Sequence, residues 1–138
     1  MESIEMKLKR PFPINRLKWR KGGGSKDLVY ITARDVMDRL DEVFGVGGWQ
    51  SRFEWVGNRM MCKLSAEVSG LWVCKSDGAD DSNIEGAKGG ISDALKRAAV
   101  QFGIGRYLYY PDAFDSNKNP APWATPEGFD EAVEKNNG

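Results

Sequence analysis

The strongest constraint on the fold lies between Trp49 and Ser76, where polar and apolar residues alternate in three runs separated by two short turn signals. Trp49, Ser51, Phe53 and Trp55 alternate with Gln50, Arg52 and Glu54. Met60, Cys62, Leu64, Ala66 and Val68 alternate with Met61, Lys63, Ser65 and Glu67, and Leu71 to Ser76 follows. A period of two sends successive side chains to opposite faces of a strand. Gly57-Asn58 and Ser69-Gly70 are two-residue connections of the kind that reverse a chain within a hairpin. The segment is therefore expected to form a three-stranded antiparallel meander with one apolar face, the stripe of Trp49, Phe53 and Trp55 included.

An apolar face needs a cover, and two helical patterns flank the meander. Thr32-Ala33-Arg34-Asp35 resembles a capping box with Asp in the place usually held by Glu or Gln. Val36, Met37, Leu40, Val43 and Phe44 then recur at helical spacing, and Gly45 supplies a stop. Downstream, Ser82-Asn83-Ile84-Glu85 is a full capping box. Ile84, Ala87, Ile91, Leu95, Ala98 and Phe102 follow on one face, and Gly103 closes the pattern. The Gly89-Gly90 pair costs roughly 2 kcal/mol of helix propensity relative to alanine, which predicts close backbone packing or a kink. The fold class that results is α+β: a helix, a three-stranded antiparallel β-meander, then a long helix packed on the sheet. The chain divides into a basic N-terminal arm with little periodicity (1–21), a core (22–110) and an acidic, proline-containing tail (111–138).

The chain contains no histidine, which excludes imidazole acid–base chemistry and His-ligated metals. Cys62 and Cys74 fit no metal-ligand spacing and are expected as reduced, mostly buried thiols of an intracellular protein. No stretch reaches the roughly 20 apolar residues of a membrane span, and Met1 to Lys9 lacks the apolar run of a signal peptide, so a cytoplasmic location is expected. The net charge is +0, but its distribution is uneven. Lys7, Lys9, Arg10, Arg16, Lys18, Arg20, Lys21 and Lys26 occur in a stretch without a single acid. From Pro111 onward, Asp112, Asp115, Glu127, Asp130, Glu131 and Glu134 face only Lys118 and Lys135. A basic surface at one end and an acidic tail at the other follow, or else two solvated termini.

Three groups of residues could carry function. Lys88, Ser92 and Lys96 are spaced four apart on the second helix, with Arg97 beside Lys96. Such a row of cations suits a phosphate backbone, although it also suits an ordinary solvated face. Trp19 beside Arg20, and Tyr30 just beyond Gly22-Gly23-Gly24, combine rings with cations as single-strand binding requires; rim or core packing is the plainer reading of each. Asp77, Asp80, Asp81 and Glu85 could hold Mg²⁺ for a nuclease, but they lack an EF-hand spacing, and Glu85 is better used in the capping box. The glycine cluster lacks the Lys-Ser/Thr of a phosphate loop, so no nucleotide cofactor is expected.

The segment Gly89-Gly90-Ile91-Ser92-Asp93-Ala94-Leu95-Lys96-Arg97-Ala98-Ala99-Val100-Gln101-Phe102-Gly103 resembles the core motif of Rad-fifty-two-type single-strand annealing proteins, and in particular the phage members often called Sak-type recombinases. Arg20, Gly22 to Gly24, Tyr30-Ile31, Phe44-Gly45 and Gly48-Trp49 are similar in order and spacing to the eukaryotic annealing domain, so that the likeness covers roughly residues 16–110. The resemblance implies a ring or helical homo-oligomer with a positively charged groove, in which Arg20, Tyr30, Lys96 and Arg97 line an inner single-strand site. It also implies ATP-independent annealing in recombination and repair, without catalytic residues, and an exonuclease or a single-strand-binding protein as partner. The family pattern carries another cation three residues after Arg97. Here that position is Val100, with Arg106 as the candidate substitute. The alternatives from other classes are the Mg²⁺-dependent nuclease and a structural oligomerising adaptor.

Overall fold

The computed structural model describes residues 3–22, 26–79 and 86–137, with the backbone alone at 86–88 and 137. In chain order the elements are α1 (Ile4–Lys9), β1 (Lys18–Lys21), β2 (Asp27–Tyr30), α2 (Ala33–Phe44), β3 (Trp49–Val56), β4 (Arg59–Val68), β5 (Leu71–Gly78), α3 (Gly86–Gln101) and α4 (Pro126–Asn137). Short 3-10 turns occupy Ile14–Arg16, Arg106–Tyr109 and Pro122–Ala124. Contacts group the chain into two compact units, residues 32–104 and residues 1–31 with 105–138. These boundaries fall at other points than the arm, core and tail read from composition.

The continuous unit is the α+β meander. β3, β4 and β5 form an antiparallel sheet in that order, with Trp49 opposite Ala66 and Leu64 opposite Lys75. Gly57 turns with φ +63°, and Ser69 and Gly70 turn with φ +53° and +81°. Positive φ at both central residues is the signature of the type I′ hairpin, whose twist matches that of its strands. The register sends Met60, Cys62, Leu64 and Ala66 to one face, where none is more than 4% exposed. α3 lies on β4 and β5 and touches α2.

Both helices of this unit end as their residues require. At α2 the Asp35 N–H donates to Thr32 Oγ1 (3.3 Å) and the Thr32 N–H to Asp35 Oδ2 (3.4 Å), a reciprocal capping box. Gly45 closes the helix with φ +81°. At the end of α3 the Gly103 N–H donates to Val100 O and the Ile104 N–H to Ala99 O, the paired bonds of a Schellman motif. Gly103 adopts the required positive φ of +106°, and Ile104 is buried behind it. The capping box expected at Ser82 to Glu85 lies outside the described residues.

Several expectations about burial need correction. Ala94, Leu95, Ala98 and Ala99 are buried on α3, but Ile91 is 38% exposed and Phe102 half-buried. The apolar stripe therefore runs past the part of the helix that the sheet covers. Gly90 is buried whereas Gly89 is exposed, so one glycine of the pair marks a close approach. Trp55 is 51% exposed, at the end of an edge strand. Cys62 is buried and Cys74 exposed, because even-numbered positions point inward on β4 and outward on β5. Burial, together with the neighbouring Cys74 thiol, pushes the Cys62 thiol up to about 11. Asp35 and Arg39 are buried on α2 although charged.

The second unit joins the two ends of the chain. The stretch expected to have little periodicity carries α1, a 3-10 turn and β1. A helix of six residues is too short to display a repeat. Phe12 is buried and its N–H donates to the Tyr107 hydroxyl at 3.0 Å. Arg10 grips Asp130 through two parallel hydrogen bonds, of 3.0 and 2.9 Å. The Thr125 hydroxyl accepts from the Gly128 N–H and caps α4. Among the described residues no helix is long and apolar enough to cross a membrane.

Candidate nucleic-acid interface

β1 and β2 pair as an antiparallel hairpin, with Lys18 opposite Tyr30, Trp19 opposite Val29, Arg20 opposite Leu28 and Lys21 opposite Asp27. Directly opposed residues share a face. One face therefore carries Lys18, Arg20, Leu28 and Tyr30, and the other carries Trp19, Lys21, Asp27 and Val29. The Gly22 N–H donates to Lys26 O at 2.7 Å and draws the strand ends together below the glycine loop. A Cβ at Gly22 would lie 2.6 Å from Leu28 Cδ1, so the glycine lets the loop begin beside that side chain.

The two faces differ in character. On the first, the Arg20 guanidinium lies 5.8 Å from the centre of the Tyr30 ring, a cation–π distance. Lys18, Arg20 and Leu28 are exposed and Tyr30 is half-buried. On the second, Trp19 packs edge-on against Phe114, with centroids 5.3 Å apart. Lys118 sits 5.3 Å from the Trp19 ring centre. Asp27 is held by Lys21 Nζ at 3.0 Å and Lys118 Nζ at 3.4 Å. Those hydrogen bonds, Lys21's first and then Lys118's, keep the Asp27 carboxyl below the usual carboxylate range. The hairpin thus presents an open face of cations and apolar surface, and its one acid on the reverse is paired.

The other expected residues belong to α3, within the meander unit. Lys96 is half-buried and Arg97 exposed on adjacent positions. Arg97 Nε lies 3.8 Å from Asp77 Oδ1, which also accepts from the Gly78 N–H at 2.7 Å. One turn on, the Gln101 side-chain amide donates to the Ser76 carbonyl, and Lys75 Nζ stands 5.6 Å from the centre of the Phe102 ring. The flank of α3 therefore runs along the edge strand β5, with Arg97 where helix and strand meet. The Lys88 side chain lies outside the described residues, as do Asp80, Asp81 and Glu85. Among the described residues no group of three or more Cys, Asp or Glu side chains could hold a metal ion. Arg106, the candidate substitute for the cation at Val100, belongs to the unit of the chain ends.

The structure thus brings Arg20 to Tyr30 and sets Lys96 beside Arg97, each pair within its own unit. Lys18 and Leu28 were not singled out from sequence, although their i, i+2 spacing to Arg20 and Tyr30 on either side of the glycines carried the signal. Trp19 was singled out for stacking, but it faces the opposite way.

The fold is α+β, with a hairpin that sets Arg20 beside Tyr30 and a helix that carries Lys96 and Arg97 over a three-stranded meander. The chain belongs to the Rad52/22 family of double-strand break repair proteins, whose model matches residues 1–68 and 64–122. It is 37% identical over 117 residues to the single-stranded DNA-binding protein DdrA of Deinococcus deserti, covering 79% of this chain and 58% of that protein. It is 30% identical over 146 residues to the single-stranded DNA-binding protein DdrA of Deinococcus radiodurans, covering 92% of this chain and 70% of that one.

Proposed function

We propose that this protein binds single-stranded DNA without sequence preference and anneals complementary strands in recombination and repair, with no ATP, metal or catalytic residue. The observation that carries the reading is the open hairpin face, where Arg20 lies over Tyr30, in a chain of the Rad52/22 family. The names of the two bacterial relatives support the same ligand. Arg20, Lys88, Lys96 and Arg97 hold the strand by its phosphates and Tyr30 supplies a ring. Neutralising phosphates releases condensed counterions, which gives affinity without reading sequence. The bases stay accessible, a second strand samples register, and base pairing supplies the free energy. No bond is made or broken. Copies of the chain assemble in a ring or helix so that one strand runs across many hairpins. The work takes place in the cytoplasm (the host's, for a phage-encoded chain), beside an exonuclease or a single-strand-binding protein.

The test is strand annealing. Complementary labelled oligonucleotides are mixed with the protein at low and high salt, without ATP or Mg²⁺. Pairing should be faster than spontaneous, and the gain should vanish at high salt and in the double variant Lys96→Ala/Arg97→Ala. Each phosphate contact removed should shallow the dependence of log K on log salt by about 0.7 on single strands. Neither binding nor acceleration by a folded protein would refute the proposal.

A further inference from the structure

Among the described residues two that are not glycine adopt positive φ, Ser69 at +53° and Lys118 at +67°. Ser69 is accounted for by the β4–β5 turn. Lys118 takes the left-handed position of the tight reversal that the antiparallel Phe114–Pro120 bridge closes, and it is flanked by Asn117 and Asn119. Asparagine adopts the left-handed conformation more readily than lysine. The chain nevertheless places the lysine in the strained position, between two residues better suited to it. Observed strain of this kind points to what the side chain does.

The loop around it is firmly built. Asp115 Oδ1 accepts from the Asn117 and Asn119 N–H groups, each at 2.9 Å, and the Asp115 N–H donates to Asn119 O at 2.9 Å. The Lys118 N–H donates to Asp115 O at 3.0 Å, and Phe114 bridges to Pro120 at the base. These bonds fix the left-handed turn and aim Lys118 at the reverse face of the β1–β2 hairpin. There its Nζ lies 3.4 Å from Asp27 Oδ2 and 5.3 Å from the Trp19 ring centre, while Phe114 packs on the same ring.

We infer that Lys118 is a positioning residue for single-strand binding: from behind, it fixes the hairpin whose front carries Arg20 and Tyr30, and it shares with Lys21 in cancelling the charge of Asp27. The inference rests on the reading of the hairpin as a single-strand site. Asp27 is the sole acid between Lys18 and Tyr30. Without Lys118 the Asp27 carboxylate would be left to Lys21, and the hairpin would lose a tie to the 115–119 loop and hold its front face less firmly.

The test separates position from stability and from direct contact. Lys118→Gly removes the side chain and also relieves the left-handed backbone, so its unfolding midpoint should match the wild type. Affinity for labelled oligothymidine should nevertheless fall about two- to fivefold, the range expected of an exposed ion pair. Lys118→Arg keeps a cation in place and should restore most of the binding. In an Asp27→Asn background, Lys118→Gly should cost little further affinity. Unchanged binding in Lys118→Gly would overturn the inference, as would a lowered midpoint accompanying the loss. An equal loss in the Asp27→Asn background would make Lys118 a phosphate contact in its own right, and that also overturns it. Failure of the wild-type protein to bind oligothymidine would instead refute the reading of the hairpin.

Discussion

The two cysteines offer a direct chemical check of the meander. Cys62 on β4 and Cys74 on β5 lie on opposite faces of the sheet because the register pairs Cys62 with Asp77 and Ser65 with Cys74. Sliding either strand by one residue would exchange inside for outside. Cys62 is 0% exposed, and its thiol is pushed up to about 11. At pH 8 a thiol of that acidity is roughly 0.1% thiolate, whereas free cysteine at about 8.5 is roughly a quarter thiolate. Since the thiolate is the nucleophile, ionisation alone slows Cys62 roughly 200-fold relative to free cysteine. The need to open the sheet before reagent can enter slows it further. Titration with a chromogenic disulfide at pH 8 should show one equivalent reacting fast and a second only after unfolding in denaturant. Cys74→Ser should abolish the fast phase and Cys62→Ser should retain it. Two fast equivalents in the native protein would refute both the register and the packing of α3 over β4.

Leu64 is fully buried near the middle of β4, and Leu64→Ala should cost about 2–5 kcal/mol in equilibrium urea unfolding. Alanine usually stabilises a helix relative to glycine by about 1 kcal/mol, but a Cβ at Gly128 would lie 1.9 Å from Pro122 O. Gly128→Ala should therefore lower the thermal midpoint rather than raise it. The Arg10 guanidinium, by its hydrogen bonds, holds the Asp130 carboxyl below the usual range. A lowered native value means that the pair's stabilisation is complete above the ordinary carboxylate range and is lost as pH falls through the native one. Both side chains are more than a third exposed, so the contribution is at most about 1 kcal/mol. Arg10→Ala should flatten that part of the acid limb when thermal midpoints are followed from pH 7 to about pH 3.

The meander was legible because every signal that specifies it is local. Alternation sets the faces, and Gly57-Asn58 and Ser69-Gly70 set the turns. The capping box at Thr32 and the stop at Gly45 were readable for the same reason. What escaped depends on partners far along the chain. Nothing near Arg10 shows that it meets Asp130, and nothing near Trp19 shows that Phe114 and Lys118 will cover it. The acidic segment after Pro111 therefore read as a tail, though its loop and helix pack with the chain's beginning. Burial along α3 was misjudged at Ile91 because periodicity reports which way a side chain points but not how far the sheet extends beneath it.

The division of the chain also bears on the order in which it matures during synthesis. Residues 32–104 contain a whole unit, so the meander and its helices can fold as soon as they emerge. The unit that carries the hairpin is split, with its first part made before the meander and its second part after. Lys18 to Tyr30 must wait for Phe114 and Lys118 before the reverse face of the hairpin is covered. A nascent chain therefore completes the meander with α3 first and the hairpin last, after residues 105–138 have been made.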